Sequence, residues 1–305
     1  MKGGWRGQLS SRVGGTRLRF DAPLRQTTTL RIGGSAECLA EPENEGDLVL
    51  LFQAIAGLEL PYHVLGKGSN VLIPDEGLSG VVVRLGRGFQ QIGRDGPVVS
   101  AGAGCPNAAL VEQCRRWGLA GLEFLIAVPG TVGGAVAMNA GAHQGDTASR
   151  LSTVRFFSIG AGLKTKKITE KIRAADFAYR KSPLRADLGV IVTGAEFNLT
   201  PAPQAEIEQK VVEYQTYRRQ TQPRDFPNCG SVFKNPPGSH AARLIEEAGL
   251  KGERVGDAQV SEKHANFIVN RGGASAAQVV ELIDLIRGKV YHQTGTTLEL
   301  ELKLL

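Results

Sequence analysis

Residues 121–146 read Gly-Leu-Glu-Phe-Leu-Ile-Ala-Val-Pro-Gly-Thr-Val-Gly-Gly-Ala-Val-Ala-Met-Asn-Ala-Gly-Ala-His-Gln-Gly-Asp. The stretch is nearly uncharged, sets glycines at 130, 133, 134 and 141 among small residues, and shows neither the helical nor the strand period of ordinary core. Small side chains let backbone N–H groups come close to a ligand, and consecutive amides in turn conformations form concave donors for phosphate and carbonyl oxygens. The composition therefore predicts the bed of a large nucleotide cofactor.

A second segment of this kind lies upstream, where an apolar run ends in Val64-Leu65-Gly66-Lys67-Gly68-Ser69-Asn70 and another, Val71-Leu72-Ile73, begins at once. A strand, a tight glycine loop and a strand suit phosphate binding, but the familiar motifs do not fit. A P-loop needs Gly at 61 and Ser or Thr at 68, where Pro61 and Gly68 stand. A dinucleotide fingerprint from Gly66 meets Val71 in its third glycine position, and one from Gly102 meets Asn107. Each loop alone reads equally well as a structural turn; two in one domain favour a cofactor.

The 305 residues, 42% hydrophobic and 22% charged, are those of an ordinary globular protein with room for two or three cored domains. The amino terminus lacks an apolar signal core and no run approaches the ~18 apolar residues of a membrane span, which predicts a cytoplasmic protein. Cys38, Cys105, Cys114 and Cys229 are widely spaced without a CxxC pair, and the five histidines show no ligand spacing, so reduced thiols and no metal site are expected. The net charge of +6 is dispersed and the 6% aromatic content gives no stacking series, which argues against nucleic acid and suits anionic small molecules. The Lys164-Thr165-Lys166-Lys167 run reads as a solvated turn.

Period and punctuation predict a helix over 45–56 and β runs at 62–65, 71–73, 80–85 and 97–101. Pro106 at a first turn and Gly118 past a last one bracket a helix whose apolar residues Leu110, Val111, Cys114 and Trp117 share a face. Further β runs are expected near 151–158 and 189–199, and Thr200-Pro201-Ala202-Pro203 marks a domain boundary. Beyond it come helices: one with Ile207, Val211, Tyr214 and Arg218 on one face, one after Ser239, and one opened by the capping box Ser275-Ala276-Ala277-Gln278. The chain ends in strict alternation, Leu298, Leu300, Leu302 and Leu304 one way and Glu299, Glu301 and Lys303 the other. The reading is α+β, divided as 1–85, 86–200 and 201–305.

Three polar stretches are candidates for chemistry: Tyr179-Arg180-Lys181-Ser182, Cys229-Gly230-Ser231-Val232-Phe233-Lys234-Asn235-Pro236, and the carboxylates Glu299 and Glu301. Taken singly, a loop arginine, a turn serine and acids on an edge strand are most simply surface features. No histidine and acid stand at triad spacing from the serine.

Five segments resemble, in order, the motif series of the UDP-N-acetylenolpyruvoylglucosamine reductase family. They are Thr28-Thr29-Leu30-Arg31-Ile32-Gly33-Gly34, Leu65-Gly66-Lys67-Gly68-Ser69-Asn70-Val71-Leu72, Pro129-Gly130-Thr131-Val132-Gly133-Gly134-Ala135-Val136-Ala137-Met138-Asn139-Ala140-Gly141-Ala142, Tyr179-Arg180-Lys181-Ser182 and Gly230-Ser231-Val232-Phe233-Lys234-Asn235-Pro236. The stretches 244–252 and 260–267 match as well, so the resemblance covers nearly the whole chain.

The resemblance implies an FAD-binding domain of the vanillyl-alcohol-oxidase (PCMH) type in two subdomains, plus a C-terminal α+β substrate-binding domain. It implies non-covalent FAD held by Gly66, Lys67, Gly68, Ser69 and Asn70 and by Pro129, Gly130, Thr131, Gly133, Gly134, Asn139, Gly141 and Ala142. It implies Arg180, Ser231 and Glu301 as the catalytic set, the Leu-Glu-x-Glu pattern choosing Glu301 over Glu299. Lys234 and Asn235 are implied as substrate-site residues, with Tyr179 and His264 lining the same site. The implied partners are a UDP-sugar substrate and NADPH, with no nucleic acid, membrane or obligatory protein partner.

Three departures stand out. The chain stops four residues after Glu301, which predicts a less firmly anchored last strand. About ten residues separate Ser182 from the β run near 191, too few for the tyrosine-bearing loop of one family branch, which points to the shorter branch. Cys229 beside the serine reads as packing. Two rival readings remain: a flavin oxidase or dehydrogenase of the same fold on another substrate, although His63 and His143 stand in no flavin-attachment motif, and a non-catalytic nucleotide-binding protein, which would have no need of Arg180, Ser231 and Glu301 together.

Overall fold

The computed structural model describes residues 4–160, 165–171, 174–185 and 189–305, and its contacts group the chain into two units. The first takes the chain up to Phe20, Glu37–Gly66 and Ser79–Thr216; the second takes Asp21–Ala36, Lys67–Leu78 and Tyr217–Leu305.

The first unit is built on helices α1 (Gly4–Arg12), α2 (Glu45–Gly57), α3 (Asn107–Arg116) and α4 (Val132–Met138), with helix α5 (Gln204–Thr221) contributing as far as Thr216. Its larger sheet is antiparallel, in the order Thr165–Lys171, Leu151–Ile159, Val190–Asn198, Val98–Gly102, Ile92–Asp95. Successive strand side chains point to opposite faces, and Leu151–Ile159 uses both. Val154 and Phe156 join a core with Leu110, Val111 and Cys114 of α3, while Phe157 joins a second core with Leu48, Leu51 and Phe52 of α2. A four-stranded sheet, in the order Arg17–Pro23, Ser35–Glu41, Leu78–Val83, Tyr62–Val64, supplies Cys38, Ala40, Val81 and Val83 to that second core.

Local chemistry fixes the helix ends. The Asn44 side chain accepts from the Asp47 amide at 2.9 Å to start α2, and caps of this kind are worth about 1 kcal/mol. Pro106 sits one residue ahead of the first turn of α3, as its N-cap, and Gly118 follows the last turn at φ +65°, where a side chain would be strained.

The second unit folds an antiparallel sheet, in the order Asn228–Ser231, Phe267–Asn270, Ala258–Val260, Arg254–Val255, against helices α6 (Ala241–Glu247) and α7 (Ala276–Thr294). The Ser275–Gln278 capping box opens α7, and Val279, Leu282, Ile283 and Ile286 are buried as the periodicity predicts. Distant segments are tied in by polar side chains: Asp75 accepts from the amides of Ala276 and Ala277 at 2.8 and 3.1 Å, and Asn270 donates to the Leu30 carbonyl at 3.1 Å.

Several expectations are corrected. The stretch 121–146 does hold a helix, α4, capped by the Thr131 hydroxyl; seven residues of glycine, alanine, valine and methionine are too short and too uniform to display a period. Thr165, Lys166 and Lys167 belong to the edge strand Thr165–Lys171 rather than a turn, and Lys167 pairs with Glu45; lysines suit an unpaired sheet edge as well as a loop. Lys164 lies outside the described residues. The terminal alternation holds for Leu298 and Leu302, both buried, with Leu300 half-buried, and fails at Leu304, which is 49% exposed. The regular strand there is only Lys303–Leu304, running parallel to Val71–Leu72, so the chain end is held by a strand pair despite its shortness.

All four cysteines are buried, and burial pushes Cys105 up to about 11 and Cys38, Cys114 and Cys229 up to about 12. The fold thus prefers the protonated thiols, and their contribution is complete below the unfolded thiol's value and lost as pH rises through the folded ones. An aromatic disulfide reagent at mildly alkaline pH should label none of the four in the native protein and all of them in denaturant, and the urea midpoint should fall as pH climbs from about 9 towards 11. Labelling of any thiol at its unfolded rate without denaturant would refute this.

Candidate functional site

In the first unit the glycine-rich stretch is a folded wall with one open face. The amides of Val132 and Gly133 donate to the carbonyls of Cys105 and Ala103, both at 2.9 Å, and the Gly134 amide makes a long 3.4 Å bond to the Thr131 hydroxyl. Most amide donors at the start of α4 are therefore used inside the protein. Not every glycine has the same reason. A side chain at Gly133 would strike Ala103 and one at Gly141 would strike the Gly145 carbonyl, whereas Gly134 is exposed with only the Thr131 hydroxyl nearby at 3.6 Å. Gly66 lies beside the same hydroxyl, 3.1 Å from where its Cβ would be. Gly134 and Gly66, both exposed, thus leave the surface around Thr131 without projecting side chains.

Asn139 ends α4 in the left-handed conformation at φ +42° and is 1% exposed. Its Nδ2 donates to the Ala178 carbonyl at 3.0 Å and its Oδ1 accepts from the Ala148 amide at 3.0 Å. The side chain thus splints the glycine-rich stretch to the turn that carries Arg180. Paired backbone bonds between Ala178 and Lys181 close that turn, and Arg180 takes φ +55° within it. A left-handed, non-glycine residue persists only where its surroundings over-determine it, a frequent sign of a functional position. The Arg180 guanidinium donates to the Gly141 carbonyl at 2.8 Å and lies 5.0 Å from the ring centre of Tyr179, which is 50% exposed.

The second unit holds the remaining candidates. Ser231 ends the strand Asn228–Ser231, where the pairing with Phe267–Asn270 is irregular and Gly230 at φ +80° turns the backbone. Antiparallel bonds then join 232–234 to the chain end: Glu301 N to Val232 O at 2.8 Å, Lys234 N to Glu299 O at 2.8 Å, with Phe233 bridging Leu300. This pairing is the local reason that Ser231 and Glu301 are neighbouring segments although seventy residues apart. Asn266 locks it, accepting from the Phe233 amide at 2.9 Å and donating to the Phe233 carbonyl at 2.8 Å.

The two glutamates separate cleanly here. Glu299 is largely exposed and its carboxylate lies 3.1 Å from the Lys234 ammonium; Glu301 is half-buried, and its charge is one of the influences that raise the buried Cys229 thiol, after burial itself. Asn235 Oδ1 accepts the first amide of α6, from Ala241, at 3.1 Å. His264 Nδ1 accepts from the Asn266 amide at 3.3 Å, its ring packs edge-on to Phe267, and burial lowers its pKa, which keeps it neutral near pH 7. Of the upstream loop, Gly68 sits at φ +62° with its α-carbon face against Thr27 and Thr28, so its glycine is a packing requirement. Asn70 donates through Nδ2 to the Glu301 carbonyl at 3.0 Å.

Residues 36–162 match the family described as FAD binding domain, and residues 222–305 match the C-terminal domain of UDP-N-acetylenolpyruvoylglucosamine reductase. UDP-N-acetylenolpyruvoylglucosamine reductase 2 of Symbiobacterium thermophilum is 46% identical over 94% of this chain and 92% of its own length. The chain belongs to the UDP-N-acetylenolpyruvoylglucosamine reductase family. The reductase of Geobacter metallireducens is 43% identical over 97% of this chain and 96% of its own. The crystal structure of the Thermus caldophilus reductase superposes with a TM-score of 0.78 at 40% identity, covering 95% of this chain and 98% of the other.

The fold is accordingly α+β, with a vanillyl-alcohol-oxidase-type FAD-binding domain and the reductase's own C-terminal domain, and the cofactor is FAD. The residues fit that group: a smooth face around Thr131 and Gly134 is what a flat ring system with a phosphate tail needs. Among the described residues no cluster of His, Cys, Asp and Glu is arranged to hold a metal, and no helix is long and apolar enough to cross a membrane. Sequence reading missed Asn266 as the lock on the serine segment; it lies in a matching stretch, but nothing in its neighbours sets that amide apart from any polar loop residue.

Proposed function

We propose that Arg180, Ser231 and Glu301 form the catalytic set of this reductase, with Lys234, Asn235, Tyr179 and His264 lining the substrate site. The enzyme reduces the enolpyruvyl group of UDP-N-acetylenolpyruvoylglucosamine to give UDP-N-acetylmuramate for peptidoglycan synthesis, with FAD as cofactor and NADPH as reductant. The observation that supports the site is the bonded pairing of 232–234 with 299–301, which sets a serine hydroxyl and a half-buried carboxylate on adjoining backbone. FAD bound at the glycine-lined face around Thr131 and Gly134 would supply the two-electron hydride chemistry that links NADPH to the enolpyruvyl group.

The protein's own task is to manage the charge and the proton. As the hydride arrives, negative charge gathers on the substrate carboxylate as an enolate. Arg180 is the cation for that charge, and Glu301 assists as a hydrogen-bond donor or through a water, since a bare second anion would repel it. Ser231 gives its proton to the adjacent carbon, and the Lys234 ammonium stabilises the alkoxide left behind.

On this reading 1–85 and 86–200 serve the flavin and 201–305 the substrate. The protein works in the cytoplasm without nucleic acid, membrane or obligatory protein partner. The purified protein should be yellow, with FAD that acid or heat releases, and should oxidise NADPH only when the enolpyruvyl sugar nucleotide is added. A colourless preparation that FAD does not reconstitute would overturn the assignment; rapid oxidation of NADPH by oxygen alone would favour the oxidase alternative.

A further inference from the structure

The loop expected to hold only the cofactor also touches the catalytic strand. Asn70 Nδ2 donates to the Glu301 carbonyl at 3.0 Å, and the Asn70 carbonyl accepts from the Lys303 amide at 3.1 Å. Leu305 N then bonds Leu72 O at 3.1 Å, in register with the parallel pairing of Lys303 with Val71. On its other side the Glu301 amide donates to Val232 O at 2.8 Å, one residue beyond Ser231. The backbone of Glu301 is therefore fixed by two bonds, one at its amide and one at its carbonyl. One comes from the serine segment and one from a side chain 231 residues away.

The two bonds differ in kind. The Val232 bond is an ordinary strand contact that any residue at 232 would make. The Asn70 bond depends on one carboxamide, because a backbone carbonyl needs a donor and neither a carboxylate nor a methyl group supplies one. Catalytic groups must stay within a fraction of an ångström of their working positions, and a displacement of about 1 Å can cost on the order of 10²-fold in rate.

We infer that Asn70 is a positioning residue for Glu301: its side chain aims the catalytic carboxylate, while the backbone around it shapes the flavin loop. The inference rests on the role proposed above for Glu301. On this inference Asn70 serves the step in which substrate is reduced rather than the step in which NADPH is consumed.

The test uses the flavin-loaded full chain carrying Asn70→Ala and, as the shape-conserving variant that lacks the donor, Asn70→Asp. Because Asn70 also stands in the flavin loop, both half-reactions are measured at saturating FAD and compared with each other: reoxidation by the enolpyruvyl substrate should slow ~10- to 10²-fold more than reduction by NADPH does. In a Glu301→Gln background, Asn70→Ala should slow that step by less than about threefold further, because the group it aims is already gone. Equal slowing of both half-reactions, or fully multiplicative losses with Glu301→Gln, would overturn the inference. Glu301→Gln alone keeps the two readings apart. If that variant turns over normally, the proposed site is wrong and this inference goes with it; if it is slow while Asn70→Ala is not, only the inference fails.

Discussion

Ser231→Ala should leave reduction of the bound flavin by NADPH almost intact and slow its reoxidation by substrate by at least ~10²- to 10⁴-fold, the usual worth of a positioned proton donor. The asymmetry follows from the chemistry: only the second half-reaction places a proton on carbon. The substitution removes a single oxygen from a half-buried site whose backbone is held by the Gly230 turn and by Asn266, so the fold should tolerate it. Stopped-flow measurement of the two half-reactions decides the matter. Equal slowing of both would assign Ser231 to flavin placement or folding instead.

Glu301→Gln should bind substrate nearly normally and turn over at least ~10²-fold more slowly, the scale of losing one preorganised electrostatic group. Glu299→Gln should change little. It lies two residues away, but its carboxylate is largely exposed where it meets the half-buried Lys234, and ion pairs with a solvent-exposed partner are worth between nothing and about 1 kcal/mol. A large loss at Glu299 with normal turnover at Glu301 would mean that the family pattern has been laid on this chain two residues out of register.

What could be read from sequence was what local chemistry dictates. The Ser275–Gln278 box, the Pro106 and Gly118 brackets of α3 and the β run near 151–158 each carry their own instruction. Arg17–Pro23 and Ser35–Glu41 went unread because polar side chains interrupt their alternation: Glu41 is held by Arg84 at 3.0 Å, an ion pair that only the folded sheet creates. The chain end misled in a subtler way. Its alternation is real through Leu302, but residues 299–301 pair with 232–234 and the final strand with 71–72, and neither partner is visible in a leucine repeat. The site behaved similarly. Motif resemblance singled out Ser231 and Glu301, whereas Asn266 and the amide of Asn70 act through contacts between segments that no spacing rule connects.

The parallel pairing of Lys303–Leu304 with Val71–Leu72 also bears on the order in which the protein can be made. A ribosome releases Val71 and Leu72 more than two hundred residues before Lys303 and Leu304, which complete the pair. The early segments of the second unit, 21–36 and 67–78, therefore wait through the translation of more than two hundred residues before that pair can form. Contacts this far apart along a chain make folding slow and leave apolar surface exposed meanwhile. Removing residues 301–305 would therefore be expected to leave Val71–Leu72 without this partner and to lower the urea midpoint of the second unit.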